Sequence, residues 1–229
     1  MLIHITRHGQ PARHRSETGD PEYPRGDPPL SDQGREQARL LGRHLAANGF
    51  AGPIFSSPYR RTLATAEAIA QETDSLIFPT RELQEWVPGE GVPDFGGLEL
   101  ESIRSLFGRI APDAALPHPW FYAGPEDIAA VQARARPFLE SLGRPLEEHA
   151  VGETLLVGHG ASTAACINEL LLKDLAPEVN EDPDKNWNCS LSTVEIGPDG
   201  KRELKAHFSI GHFPTETVTS NQLRYLDTI

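Results

Sequence analysis

Two segments far apart in the chain end in the same way. Leu2-Ile3-His4-Ile5-Thr6 runs into Arg7-His8-Gly9, and Thr154-Leu155-Leu156-Val157 runs into Gly158-His159-Gly160. Each is an apolar stretch that breaks into a histidine flanked by glycine. A third apolar stretch, Pro53-Ile54-Phe55, leads through Ser56-Ser57-Pro58-Tyr59 to Arg60 and Arg61. Imidazole is the side chain whose unperturbed pKa lies nearest neutrality, so it can attack, accept or give a proton at ordinary pH. Guanidinium presents a planar fork of donors matched to phosphate or carboxylate. Glycine lets backbone come close to a ligand. Brought to one place, these groups suit chemistry on an anion.

The elements that must hold them read as alternating strands and helices. Ser31 can cap a helix whose Ala38, Leu41 and Leu45 share a face, with Asp32 suited to its positive end and Asn48-Gly49 as its stop. A strand over 53–57 precedes a second helix, which opens at Pro58 and runs to about Gln71 with Leu63, Ala66 and Ile69 inward. Leu76-Ile77-Phe78 is a strand candidate. Residues 84–124 read as irregular, apart from a short helix from about Leu98 to Phe107. The spacing of Ile128, Val131, Ala135, Phe138, Leu139 and Leu142 predicts a long helix from about Pro125 to Leu142. The buried-type strand at Thr154–Val157 leads into a helix from about Ala161 to Leu172. Leu191–Ile196 pairs through a Gly197-Pro198-Asp199-Gly200 turn with a strictly alternating strand, Leu204, Ala206, Phe208 and Ile210.

Strands alternating with helices predict an α/β domain with a mostly parallel sheet and an antiparallel edge supplied by the closing hairpin. We expect a three-layer α/β/α sandwich and a single domain over residues 1–229. In such sheets ligands bind beyond the carboxyl ends of the strands. That edge is where Arg7-His8-Gly9, Ser56-Ser57 with the arginine pair, and Gly158-His159-Gly160 all fall. Helix N-termini on the same edge favour anions.

Composition narrows the partners. The net charge of −12 argues against nucleic acid and anionic membranes, which require a cationic face. Two cysteines, Cys166 and Cys189, make no disulfide framework and suit a reducing compartment. No apolar run approaches the roughly 18 residues of a membrane span, and Arg7 follows too few apolar residues for a secretory signal. A cytoplasmic protein is expected. Oligomeric state is not legible.

The ordered motifs resemble the histidine phosphatase superfamily, the phosphoglycerate-mutase-like proteins. The matching pieces are Arg7-His8-Gly9, Asp27-Pro28-Pro29-Leu30-Ser31-Asp32-Gln33-Gly34, Ser57-Pro58-Tyr59-Arg60-Arg61 with Thr65-Ala66, Leu83-Gln84-Glu85, and Gly158-His159-Gly160. The resemblance implies a phosphomonoesterase with no cofactor or metal, acting on a small phosphorylated substrate. His8 would be the nucleophile that carries the phosphoryl group. Arg7, Arg61, His159 and Gly160 would bind phosphate with it, with Arg60 as the alternate to Arg61. Glu85 aligns with the proton donor, and Glu82, Glu90 and Asp94 are further carboxylates near it. The Gly158–Cys166 stretch resembles the branch acting on tyrosine phosphate and steroid phosphates.

The pattern also departs from the family. Members often carry an acid after Arg-His-Gly and then an asparagine that touches phosphate, where this chain has Gln10 and His14. The tryptophan-containing signatures of true mutases are absent from the polar 11–29 loop, which favours a phosphatase over a mutase-type phosphotransferase. A non-catalytic phosphate-binding module on the same fold is the other alternative. Selectivity is expected to come from the 11–29 loop and the 84–124 region, where Trp86, Phe95, Trp120, Phe121 and Tyr122 could form an apolar wall. A cysteine phosphatase fails on spacing, since Leu172 and Glu195 stand six residues after the cysteines. Asp182-Pro183-Asp184 lacks the apolar strand an aspartyl-phosphatase loop needs, and no P-loop occurs. A metal site built from His4, His8, His159 and Glu85 would have to tolerate the cation Arg7.

Overall fold

A computed structural model describes residues 1–12, 26–87, 97–122, 124–142, 152–171 and 186–219. The strands are β1 (Leu2–Arg7), β2 (Ile54–Ser56), β3 (Ile77–Pro79), β4 (Glu153–Gly158), β5 (Leu191–Ile196) and β6 (Arg202–Ser209). They form one sheet in the order β3-β2-β4-β1-β5-β6. The pairs β3–β2, β2–β4 and β4–β1 are parallel, while β5 is antiparallel to both β1 and β6. The helices are α1 (Asp32–Ala47), α2 (Arg60–Thr73), α3 (Leu100–Leu106), α4 (Ile128–Leu142) and α5 (Gly160–Leu170).

Side-chain parity along β4 divides the core into two layers, because successive residues of a strand face opposite ways. Leu155 and Val157 pack with Leu41 and Leu45 of α1 and Leu63, Ala66 and Ile69 of α2. Leu156, between them, packs with Ile3 and Ile5 of β1, Ala135 and Leu139 of α4, and Cys166, Ile167 and Leu170 of α5. Helices thus cover both faces, as expected of an α/β/α sandwich. The outer strand β6 alternates between half-buried and exposed positions, with Leu204, Ala206 and Phe208 on the packed side.

Helix starts differ from the sequence reading for identifiable reasons. Ser31 caps α1 as expected, accepting from Gly34 N–H at 3.0 Å. Helix α2 begins at Arg60 and not at Pro58. Tyr59 is extended (φ −67°, ψ 145°), and the first helical N–H, that of Arg60, is taken by the Asp27 carboxylate at 2.8 Å. Asp27 is therefore the cap, supplied from outside the helix. Helix α4 begins at Ile128 and not at Pro125, because Asp127 Oδ1 accepts from Ala130 N–H at 2.8 Å. Within the region read as irregular, 109–111 joins the sheet edge: Ile77 N–H donates to Arg109 O and Ala111 N–H to Ile77 O, both at 2.9 Å.

Gly9 has a packing task of its own. A Cβ there would lie 2.4 Å from Gly34 O, and a Cβ on Gly34 would lie 2.1 Å from Gln10 O. The two glycines let the first turn of α1 sit directly on the end of β1. Gly34→Ala is expected to destabilise the protein by about 1–3 kcal/mol through forced backbone movement. Chemical denaturation of the purified variant checks this, and an unchanged midpoint would show that the turn can shift at no cost.

Candidate active site

The register between β1 and β4 sets Arg7 beside Gly158. The next residues leave the sheet together, with His8 N–H donating to Gly158 O at 3.0 Å, and the His8 and His159 rings meet edge to face at 5.2 Å. Both rings are buried, as are Arg7 and Arg61. Four groups from three separate segments therefore converge at the carboxyl edge of the sheet.

Hydrogen bonds determine which nitrogen of each ring carries the proton. His8 Nδ1 lies 2.7 Å from Gly9 O, and a carbonyl can only accept. Nδ1 is thus the protonated nitrogen, and the lone pair of the neutral ring sits on Nε2. His159 shows the opposite arrangement. Its Nδ1 is 3.0 Å from Arg61 Nη2, which can only donate, and its Nε2 is 2.9 Å from Ser57 Oγ. So Nε2 holds the proton of His159 and aims it as a donor. Burial holds the pKa of His159 well below the ordinary histidine value, with Arg61, His8 and Arg7 adding to the shift. The ring is neutral at physiological pH.

The arginines are held through backbone and aromatic contacts. Arg7 donates to Asn186 O at 2.8 Å. Arg61 donates to Gly26 O at 3.1 Å, lies over the Tyr59 ring at 4.6 Å, and approaches Asp27 Oδ1 at 3.8 Å. Arg60 is half-buried with its Nε 3.9 Å from Asp27 Oδ2, and no contact with either histidine accompanies it among the described residues. Burial raises the Asp27 carboxyl to about 6, against the opposing pull of Arg61 and the Arg60 N–H. The Tyr59 ring stands 4.9 Å from His159 and 5.1 Å from Trp120.

Glu85 is positioned from the opposite side. Its Oε1 accepts from its neighbour Trp86 N–H at 2.9 Å and from Ala161 N–H, in the first turn of α5, at 3.3 Å. Its Oε2 lies 4.0 Å from the point a Cβ on Gly160 would occupy, which places the carboxylate beside the start of α5. Arg134 of α4 clamps this segment, donating to Glu82 O, to Gln84 O at 2.7 Å and to Glu85 O at 3.4 Å, and pairing with Glu126 at 2.7 Å.

Gln10 Oε1 accepts from Ser31 Oγ at 2.8 Å. His14, Glu90, Asp94, Phe95 and Asp182–Asp184 lie outside the described residues. His4 points elsewhere, with Thr193 at 3.0 Å and Glu153 at 3.4 Å, and no group of three His, Cys, Asp or Glu side chains able to hold a metal occurs among the described residues. Of the aromatic residues expected to wall the site, Trp120 is fully buried and donates to Leu98 O at 2.9 Å, so it packs the interior. Trp86 remains exposed beside Glu85.

Arg134, Asn186 and Asn188 were not singled out from the sequence. Asn186 Nδ2 donates to Gly160 O at 3.0 Å, and Asn188 Nδ2 donates to His8 O at 2.9 Å. A signal existed: a strand antiparallel to β1 must begin at the edge where β1 ends. The polar residues just before Leu191 therefore had to arrive there.

Comparison with known proteins identifies the family. A profile described as the histidine phosphatase superfamily (branch 1) matches residues 3–208. Phosphoserine phosphatase 1 of Hydrogenobacter thermophilus is 29% identical over 201 residues, which cover 83% of this chain and 86% of that protein. Fructose-2,6-bisphosphatase TIGAR B of Danio rerio is 30% identical over 156 residues, 65% of this chain and 56% of that one. Among solved structures, the ecdysone phosphate phosphatase from Bombix mori in complex with tungstate matches with a TM-score of 0.68 over 100% of this chain and 99% of that one. At 15% identity that match speaks to the fold alone. A family profile running from β1 to β6, over the segments that converge at the sheet edge, leads to one conclusion: the chain belongs to the histidine phosphatase superfamily, branch 1.

Proposed function

We propose that this protein is a phosphomonoesterase that hydrolyses small phosphate esters through a phosphohistidine on His8. One observation carries the reading. The His8 Nδ1 proton is tied to Gly9 O at 2.7 Å, so the lone pair is on Nε2, with Arg7, Arg61 and His159 buried beside it. In the first step Nε2 bonds to phosphorus, the ester P–O bond breaks, and Glu85 gives its proton to the departing alcohol oxygen. In the second, Glu85 takes a proton from water as that water bonds to phosphorus, and phosphate leaves His8. Arg7, Arg61 and His159, once its Nε2–H turns from Ser57 Oγ to the substrate, balance the charge spread over the phosphoryl oxygens, the main demand of phosphoryl transfer. These donors perform the stabilisation that a metal performs elsewhere. Hydrolysis is favoured over transfer to a second substrate by the phosphatase names of the relatives. We propose further that residues 1–229 act as one domain, supported by the one sheet that the described strands form, and that the protein works in the cytoplasm, supported by two buried free thiols.

The test is a panel of phosphomonoesters ranked by kcat/KM, run with and without a chelator, with acid-quenched enzyme assayed for alkali-stable, acid-labile phosphate. Turnover that survives the chelator, together with labelled His8, supports the reading, and loss of all activity on chelation overturns it. The clamp makes its own prediction. Arg7→Ala, Arg61→Ala and His159→Ala should each lose at least about 10²-fold in kcat, the usual cost of one transition-state donor. Arg60→Ala should lose much less, and a larger loss there would assign the phosphate ligand to Arg60.

A further inference from the structure

The orientation of His8 depends on two consecutive peptide planes. The plane joining His8 to Gly9 is held at both ends: Asn188 Nδ2 donates to His8 O at 2.9 Å, and Gly9 N–H donates to Thr65 Oγ1 at 3.0 Å. The plane joining Gly9 to Gln10 is held by Gln10 N–H donating to Gln37 Oε1 at 2.8 Å. This second plane carries the Gly9 carbonyl that accepts from His8 Nδ1. The two side chains that do the holding, Asn188 and Gln37, meet at one hydroxyl. Thr219 Oγ1 accepts from Gln37 Nε2 at 2.8 Å and donates to Asn188 Oδ1 at 3.0 Å. Bonds to the main chain of 217–219 fix that hydroxyl in turn, with Asn188 N–H donating to Thr219 O at 2.8 Å and the Gln37 side-chain Nε2 also donating to Thr217 O.

The direction of every bond in this set is determined. Each carbonyl in it can only accept and each N–H can only donate, so both amide side chains have one possible orientation. The hydroxyl accepts one of these bonds and gives its single proton to the other. Asn188, Gln37 and Thr219 are all buried. Buried networks of this kind are worth having only when complete, and losing one member leaves the others as unmet polar groups.

We propose that Thr219 is a positioning residue for the nucleophile: its hydroxyl locks the two peptide planes that hold the Nδ1 proton of His8 and so keep the lone pair on Nε2. The inference rests on His8 as nucleophile for its kinetic consequence, but not for its structural one. If the second plane rotates, Gly9 O leaves Nδ1 and the ring is free to take the other tautomer. Nε2 is then protonated in part of the population and cannot attack. Binding of the phosphoryl group, which falls to Arg7, Arg61 and His159, is left largely intact.

The test compares Thr219→Val, which keeps the shape and removes the hydroxyl, with Thr219→Ser, which keeps the hydroxyl. Thr219→Val should slow single-turnover phosphorylation about tenfold, with the vanadate inhibition constant changed less than about threefold. Thr219→Ser should restore most of the rate. Nitrogen-15 shifts of the His8 ring should show protonated Nδ1 in the wild type and a tautomer mixture in Thr219→Val. That readout holds whether or not His8 is the nucleophile, so failure of the catalytic reading and failure of this one are distinguishable. Should Thr219→Val not fold, Gln37→Met removes the clamp on the second plane by a different route and should give the same mixture. A His8 ring that stays in one tautomer in whichever of these variants folds overturns the proposal, as does an equal loss of vanadate affinity and rate.

Discussion

Alanine in place of His8 is expected to reduce turnover by at least about 10⁴-fold, the scale on which losing a covalent nucleophile is felt. The argument is one of routes. On the proposed mechanism, with Nε2 gone the phosphoryl group would have no protein atom to bond to, and Arg7, Arg61 and His159 would bind the ester without a partner to receive the phosphorus. The His8 side-chain hydrogen bond on which the mechanism turns is to its own neighbour, Gly9. The backbone bonds to Gly158 and Asn188 do not depend on the ring. His8→Ala should therefore fold, and phosphate or vanadate should still raise its melting temperature by mass action. Wild-type enzyme quenched in acid during turnover should hold phosphate on His8, and the variant none. Near-normal turnover by His8→Ala would sink the mechanism.

Glu85→Gln is expected to have the second largest effect, and one that depends on the leaving group. An alkoxide leaves poorly and needs its oxygen protonated as the P–O bond breaks, while p-nitrophenolate needs much less help. General acid catalysis is typically worth about 10²–10⁴-fold. The variant should lose most of that on alkyl phosphates and clearly less on p-nitrophenyl phosphate. The amide keeps Glu85's shape, and its oxygen can still accept from Trp86 and Ala161, which bond Oε1 in the wild type at 2.9 and 3.3 Å. What is lost is the proton. The measurement must follow the first step alone by single turnover, because on the proposed mechanism the same carboxylate would activate water in the second step and mask the contrast. Equal losses on both substrates would mean that Glu85 acts by charge or position, and would move the role of proton donor to Glu90 or Asp94.

Arg134→Met gives a control of a different kind, since Arg134 holds the main chain of residues 82–85 and not the substrate. If Glu85 is the acid, loosening its segment should reproduce part of the Glu85→Gln contrast between leaving groups. Losses of equal size on both substrates would separate the clamp from proton transfer.

The local patterns of this sequence determined its elements and their class. Apolar runs ending in polar residues made β1, β2 and β4, and helical spacing placed α1, α2 and α4 to within a few residues. Alternation at 204, 206 and 208 marked β6 as an outer strand. The motifs were legible because each lies within one short segment, and the general rule for parallel sheets told which edge they share. Tertiary structure decided what depends on pairs remote in sequence. Which nitrogen of His8 holds the proton follows from the path of the Gly9–Gln10 backbone. That path is fixed by Gln37, Asn188 and Thr219, the last two arriving some 180 to 210 residues later in the chain. Asp27 as the cap of α2, Arg134 as the clamp on Glu85, and Gly9 as a packing glycine are of the same kind. A buried apolar face repeats along its element and so leaves a period in the sequence. A single buried polar bond repeats nowhere, and its partner is known only once the sheet register has brought the two residues together.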